Sequence, residues 1–115
     1  MGAIYRSPLE RPLIARAWRA ERSWDRMRGL LGRAPLAAGE ALVIDPCSSI
    51  HTVGMRYTLD IVFMDAGERI LKLCRHVVPL RAAAAWGAHH VVEMAAGEID
   101  RLGLAVGDRL EWRLQ

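Results

Sequence analysis

The sequence has 115 residues, of which 52% are hydrophobic, so its length and composition fit one domain and leave little room for two independent cores. No apolar run approaches the roughly 18–20 residues that a membrane-spanning helix needs, and the first eight residues lack the apolar stretch of an export signal, which predicts a soluble, cytoplasmic protein. The formal net charge is +3, and Cys47 and Cys74 are the only cysteines, which excludes a disulfide-rich secreted framework.

The N-terminal third of the chain is basic. Residues 1–33 carry eight arginines against Glu10, Glu21 and Asp25, a net charge of +5. The Arg-rich segment 6–33 also contains tryptophans that could stack on bases, so nucleic-acid binding through this segment is one alternative function. The segment has no recognised nucleic-acid motif, and a solvated face is the interpretation we prefer.

Residues 1–12 are predicted to form an extended N-terminal segment, because Pro8 and Pro12 disfavour regular structure there. Residues 13–115 are predicted to form a single domain, since no repeat, low-complexity tract or Ser/Gly linker divides them. The domain begins with a predicted strand at residues 13–18.

The clearest predicted helix covers residues 23–31. Ser23 can cap its N-terminus, Asp25 lies in the first turn, where the helix dipole favours an anion, and Gly32 follows its end. Its apolar stripe recurs at helical spacing and comprises Trp24, Met27 and Leu30. This helix is expected to lie on the rest of the domain through that stripe.

From residue 41 onward the pattern is that of β-structure. Strands are predicted at residues 41–44, 59–65, 69–78 and 89–94 and from residue 110 onward. The turn 65–68 contains a glycine and predicts a β-hairpin, and residues 95–102 predict a short helix that Gly103 ends. In the strand 69–78, simple alternation places Leu71, Leu73 and Val77 on one face and Lys72, Cys74 and His76 on the other.

This pattern of elements predicts a mainly β fold. Several strands with one or two short helices favour a single-domain β-sandwich of jelly-roll type or a barrel-like sheet.

Four stretches of the sequence occur in the order seen in a known family: Met-Arg-Gly-Leu-Leu at 27–31, Ser-Ile-His-Thr-Val-Gly-Met-Arg at 49–56, Leu-Asp-Ile-Val-Phe-Met-Asp at 59–65, and the run 92–110 with its Leu-Gly-Leu and Val-Gly-Asp triplets. Together they resemble the Domain of Unknown Function 192 family of uncharacterised prokaryotic proteins. The resemblance spans roughly residues 14–112. It implies a compact jelly-roll β-sandwich with short helices, and it implies no activity.

The densest polar functionality is the segment 46–56, which interrupts an otherwise apolar, strand-rich sequence. No complete catalytic constellation, phosphate-binding loop or dinucleotide fingerprint is present, so the sequence favours a non-catalytic accessory module that binds a ligand or partner through this segment and needs no cofactor. The predicted site residues are Ser49, His51, Thr52, Met55 and Arg56 at its rim, with Asp60 and Glu93 beneath.

The competing interpretation is a small thiol- or zinc-dependent enzyme. Cys47 and His51 could form a thiolate–imidazolium pair, or they could supply two of the four ligands that zinc prefers. Further thiol and imidazole groups occur in the pairs Cys74 with His76 and His89 with His90. However, the cysteines lack the spacing of a zinc knuckle, and adjacent histidines in a strand would point to opposite faces.

Asp60 and Glu93 each interrupt a strongly apolar predicted strand. A buried carboxylate needs a partner, so a structural ion pair with an arginine such as Arg28 or Arg56 is favoured over acid–base chemistry.

Overall fold

The computed structural model describes residues 1–8, 11–20, 36–45, 48–51, 57–79 and 81–115. Within these ranges the chain forms nine strands and one short helix. The strands are β1 (Gly2–Arg6), β2 (Pro12–Ala20), β3 (Glu40–Ile44), β4 (Ser49–His51), β5 (Leu59–Met64), β6 (Ile70–Val77), β7 (Ala82–Ala84), β8 (His90–Ala95) and β9 (Leu110–Leu114), and the helix α1 is Glu98–Leu102. In the described part of the chain, no helix is long and apolar enough to cross a membrane.

Seven strands form one sheet in the order β6-β5-β8-β3-β2-β1-β9. Strands β2 and β3 are parallel, and the other neighbouring pairs are antiparallel. The edge strands β6 and β9 meet where they begin: the Ile70 N–H donates to the Asp108 carbonyl at 2.8 Å, and the Leu110 N–H donates to the Glu68 carbonyl at 3.0 Å. The sheet is therefore curled like a barrel without closing into one.

One face of this sheet lies inside the curl. Its buried side chains come from strands at both edges and from the helix, and they form the inner cluster: Ile4, Ile14, Ala17, Ala41, Val43, Val62, Met64, Ile70, Val92, Met94, Ile99, Leu104 and Leu110. Because β1, β9, β5 and β6 all contribute, this cluster holds the two ends of the sheet together.

The other face carries the outer cluster: Leu36, Leu42, Ile44, Leu59, Ile61, Phe63 and Val91. Strands β4 and β7 form a separate two-stranded antiparallel sheet, and Ala83 of β7 packs against this cluster together with Ala85 just beyond it. Neighbours in one strand divide between the clusters, as Val91 and Val92 do, because side chains alternate across a strand.

The mainly β fold is confirmed, with a single short helix among the described residues. The hairpin turn at 65–68 is confirmed by a hydrogen bond of 2.9 Å from the Asp65 N–H to the Arg69 carbonyl. The helix at 95–102 is confirmed in its second half, as α1, which Gly103 ends in the left-handed conformation. The predicted helix at 23–31 lies outside the described residues.

The predicted facing of β6 is wrong at Val77. Residues Leu59 and Ile61 of β5 pair with Val77 and Cys74, so β6 holds one extra residue between these pairs. This β-bulge places His76 at a φ of 52° and turns Val77 to the outer cluster, together with Cys74 and opposite to Leu73. Simple alternation fails because a bulge shifts the side-chain period by one.

Candidate functional site

The described residues include only part of the predicted site. Ser49 lies exposed on β4, and the backbone of His51 ends the same strand. Cys47, Thr52, Met55 and Arg56 lie outside the described residues. Asp60 and Glu93 are fully described, and both are completely buried, as their positions in apolar strands predicted.

Glu93 is a buried carboxyl group in the middle of the sheet. It pairs with Leu42 of β3 on one side and with Ile61 of β5 on the other, and both of these belong to the outer cluster. Among the described residues neither carboxyl oxygen has a hydrogen-bond partner. Burial therefore raises the pKa of Glu93 from 4.5 to about 7, because desolvation disfavours the charged form.

The described part of the polar segment belongs to the layer that packs on the face of the sheet that carries Glu93. Strand β4, the described part of that segment, pairs with β7 from Ser49 to Ala84 and from His51 to Ala82. Ala83 of β7 packs against the cluster that flanks Glu93. Residues 49–51 of the segment therefore belong to the layer that lies over the outer face.

Asp60 has a different environment, with its oxygens fully engaged by backbone groups. Its Oδ1 accepts the N–H of His76 at 2.9 Å, and its Oδ2 accepts those of Gly97 at 3.1 Å and Ile99 at 2.9 Å. Asp60 pairs with Met94 of the inner cluster, so it faces away from Glu93. The two carboxylates therefore lie on opposite faces of the sheet. Asp60 stabilises the β6 bulge and the start of α1 through its hydrogen bonds.

The thiol and imidazole groups that the structure describes are dispersed. Cys74 is a free, half-buried thiol that pairs with Ile61 on the outer face, whereas His76 lies exposed on the bulge. The rings of His89 and His90 are in edge contact, with centroids 4.8 Å apart. Within the described ranges no three His, Cys, Asp or Glu side chains converge as metal ligands.

A second polar cluster was missed by the sequence analysis. At one end of the curled sheet, Asp45 follows β3 and its Oδ2 contacts Arg19 Nη2 of β2 and, at 3.3 Å, His90 Nδ1 of β8. These residues line a small cavity with Glu68 of the β5–β6 turn and Trp112 of β9. The sequence feature that could have indicated this cluster is the position of Asp45 and His90, directly at the ends of apolar strands. Nothing in the sequence showed that β3 and β8 are neighbours.

Three described arginines of the basic segment contact acidic side chains of the same chain. Arg6 lies 3.7 Å from Asp108, and Arg16 lies 3.6 Å from Glu40. Arg19 contacts Asp45 as above. The remainder of the segment from residue 21 lies outside the described residues, so nucleic-acid binding through it stays a prediction.

Two curated relatives are similar to this chain. A UPF0127 protein of Thermococcus sibiricus is 31% identical over 75 residues, which cover 59% of this chain and 44% of that protein. A UPF0127 protein of Pyrococcus furiosus is 36% identical over 70 residues, which cover 56% of each. The chain thus spans about half the length of the curated relatives it matches.

Two crystal structures share the fold. A protein of unknown function from Novosphingobium aromaticivorans DSM 12444 has a TM-score of 0.74 and 26% identity, covering 84% of this chain and 74% of that one. A protein from Sinorhizobium meliloti 1021, proposed to be a transcription regulator, has a TM-score of 0.79 and 21% identity, covering 96% and 92%. At that identity the second likeness concerns the fold alone.

The sequence match extends over almost the whole chain. It includes the strands that carry Asp60 and Glu93, the helix α1 and the Arg-rich N-terminal region. Because the model of the Domain of Unknown Function 192 family, described as Uncharacterized ACR, matches residues 10–112, this chain belongs to that uncharacterised family.

Proposed function

We propose that this chain is a small, non-catalytic module that binds a ligand or partner at the polar segment 46–56, with Glu93 beneath it. The observation that supports the proposal is the carboxyl group of Glu93, which is fully buried and has no hydrogen-bond partner among the described residues. A cytoplasmic location, suggested by the sequence, is part of the same proposal.

A carboxylate in such a position costs free energy unless a partner reaches it. Desolvation penalises the charged form, and the neighbours Leu42 and Ile61 offer no donor in their side chains. A ligand that brings a hydrogen-bond donor or a positive charge would offset this cost. The protein therefore carries in its core a group whose chemistry favours complex formation.

The position of the polar segment adds support. Strand β4 lies in the layer whose Ala83 packs on the outer cluster, so a ligand bound at the segment would approach the sheet face that carries Glu93. Polar loops on a rigid β scaffold are common sites of recognition.

The experiment is an NMR fragment screen with ¹⁵N-labelled protein and a set of cationic, neutral and anionic fragments. Fragments that carry an amine or amidine are expected to shift the amides of residues 49–51 and 91–95, and Glu93→Gln is expected to weaken their binding at least tenfold at pH 8. Asp65→Asn, which changes an exposed turn carboxylate, is the charge-matched control and should leave binding unchanged. Hits that avoid both amide groups, or that bind the Glu93→Gln protein equally well, would overturn the proposal.

The alternative of a thiol- or zinc-dependent enzyme stays a prediction, since Cys47 and the side chain of His51 lie outside the described residues. Alkylation with iodoacetamide at pH 6 separates the two functions, with Cys74 as the internal reference. A catalytic Cys47 would react much faster than Cys74, because a nearby imidazolium favours the thiolate. Equal, slow reaction of both thiols is the result that the binding module predicts.

A further inference from the structure

We propose that the open end of the curled sheet is a second binding site, for a small carboxylate of about the size of acetate. The mouth, defined by Arg19, Asp45, Glu68, His90 and Trp112, lies on the inner side of the sheet. It shares no residue with the site around Glu93, so the inference is independent of the function proposed above.

The mouth opens into a small cavity with an apolar floor. The cavity has a volume of about 40 Å³, enough for about three water-sized groups. Its apolar lining comprises Ile4, Val43, Met64, Val92 and Leu110. A ligand that fits must therefore be small, with a short apolar part against these side chains and a polar part at the mouth.

The donors at the mouth are held in place. Asp45 Oδ2 accepts from Arg19 Nη2 and lies 3.3 Å from His90 Nδ1, so one carboxylate contacts a guanidinium and an imidazole from different strands. The Arg19 guanidinium also lies 5.4 Å from the centroid of the Trp112 ring. That ring is itself fixed by a hydrogen bond of 2.9 Å from its Nε1 to the carbonyl of Ala17. Such fixed donors reduce the entropy cost of binding.

The free hydrogen-bonding groups at the mouth favour an anion over a cation. Both carboxylates already contact basic side chains: Asp45 contacts Arg19 and His90, and Glu68 contacts Arg109 at 3.4 Å. A guanidinium has five N–H donors, and among the described residues that of Arg19 donates only to Asp45. The groups still free to form hydrogen bonds at the mouth are therefore N–H donors. A carboxylate can accept two of them at once, one at each oxygen.

The test is an NMR titration with sodium acetate at pH 6.0, where acetate is ionised. Acetate is expected to cause saturable shifts of the Arg19 Nε–H, the His90 ring and the Trp112 indole. Acetamide, a neutral molecule of the same size, and inorganic phosphate, an anion without an apolar part, should each bind at least tenfold more weakly. Stronger binding of phosphate would overturn the carboxylate assignment, and equal binding of acetamide would overturn the anion site.

A pair of variants separates local recognition from general charge. Arg19→Gln should weaken acetate binding at least tenfold, whereas Arg16→Gln makes the same change of charge on the same strand, at a residue that does not line the cavity and whose partner Glu40 does not line it either, and should change it less than twofold. Arg19→Lys, which keeps the charge and loses the paired donors, guards against a folding defect and should give an intermediate loss. Equal effects of Arg19→Gln and Arg16→Gln would overturn the proposal.

Discussion

Glu93 and Asp60 are both fully buried carboxyl groups in adjacent strands, and their surroundings give them opposite roles. Asp60 accepts three backbone N–H groups, whereas Glu93 has apolar neighbours on both sides and no hydrogen-bond partner among the described residues. A carboxylate that accepts several backbone N–H groups is stabilised in its charged form, while one in an apolar site is destabilised. The first therefore supports the fold and the second costs stability.

The free energy that it costs to bury the charged form of Glu93 should be measurable as a pH dependence of the free energy of unfolding. Its pKa is raised by burial to about 7 in the folded protein, against 4.5 in the unfolded chain, so the unfolded chain releases its proton first as the pH rises. This contribution to the free energy of unfolding is fully present below pH 4.5, falls between pH 4.5 and pH 7, and amounts to about 3 kcal/mol in total. Glu93→Gln cannot ionise and should therefore abolish this loss of stability at high pH. Urea denaturation at pH 8 should find the variant more stable than the parent.

The control is Glu98→Gln, for which the sign is opposite. A hydrogen bond from Arg101 lowers the pKa of Glu98, so this variant should lose stability at neutral pH, and the loss should shrink as the pH falls through the folded pKa. If Glu93→Gln instead destabilises the protein at pH 8, an arginine outside the described residues, such as Arg28 or Arg56, pairs with Glu93.

Asp60 should be far more costly to remove. Asp60→Ala leaves three N–H groups without an acceptor, that of Ile99 buried and those of His76 and Gly97 partly buried, and we expect a loss of about 3 kcal/mol in the free energy of unfolding. Asp65→Ala is a matched control, because Asp65 accepts the N–H groups of Gly67 and Arg69 in an exposed turn where water can replace it. That control should lose about 1 kcal/mol. Comparable losses in urea denaturation would contradict the structural role given to Asp60.

At the scale of elements, strand β6 shows how far sequence patterns reach. The turn before it was predictable, because glycine in a four-residue connection between apolar runs is typical of a hairpin. The bulge at His76 was not, since it depends on Asp60, sixteen positions earlier, accepting the His76 N–H. A contact between strands therefore reset the side-chain alternation that the local pattern predicted.

The backbone conformation at this bulge gives a further prediction. His76 has a φ of 52°, a region that a side chain with a Cβ disfavours and glycine accepts. His76→Gly should therefore be more stable than His76→Ala by about 1 kcal/mol. At the neighbouring strand position, Arg75→Gly should be less stable than Arg75→Ala by a similar amount. Thermal unfolding of the four variants measures both differences, and the same order at both positions would contradict the bulge.

At the scale of the whole molecule, the sheet pairing of β1 is the feature that the sequence pattern did not reveal. Residues 1–12 were predicted to form an extended N-terminal segment, and in the structure Gly2–Arg6 of this segment is a strand inside the sheet, paired with β2 and with β9. The approach is close at Gly2, where an added Cβ would lie 2.6 Å from the carbonyl oxygen of Arg113. The partner of β1 on one side is the last strand of the chain, and such long-range pairing leaves no local pattern to find.

Long-range strand pairing also explains why the sequence predicted the buried position of Glu93 but not the cluster at the mouth. A charge within an apolar run is visible in the sequence, so Glu93 and Asp60 could be selected as buried groups. Arg19 lies in β2, Asp45 directly follows β3, and His90 begins β8. They meet because β2 pairs in parallel with β3 and β3 pairs antiparallel with β8. Sequence patterns indicate which strands exist, and the sheet order determines which side chains meet.

Because β1 lies inside the sheet, its buried residue Ile4 should contribute as much to the free energy of unfolding as a buried residue from the middle of the chain. Ile4 is 1% exposed and packs in the inner cluster, which joins the two ends of the sheet. Ile4→Ala should lower the free energy of unfolding by about 2–5 kcal/mol, because a buried cavity replaces the lost methyl groups. Leu114→Ala, at an exposed position of the neighbouring β9, should change it by less than about 0.5 kcal/mol. An Ile4→Ala protein with an unchanged urea midpoint would show that the first strand is dispensable and that the sheet is held together without it.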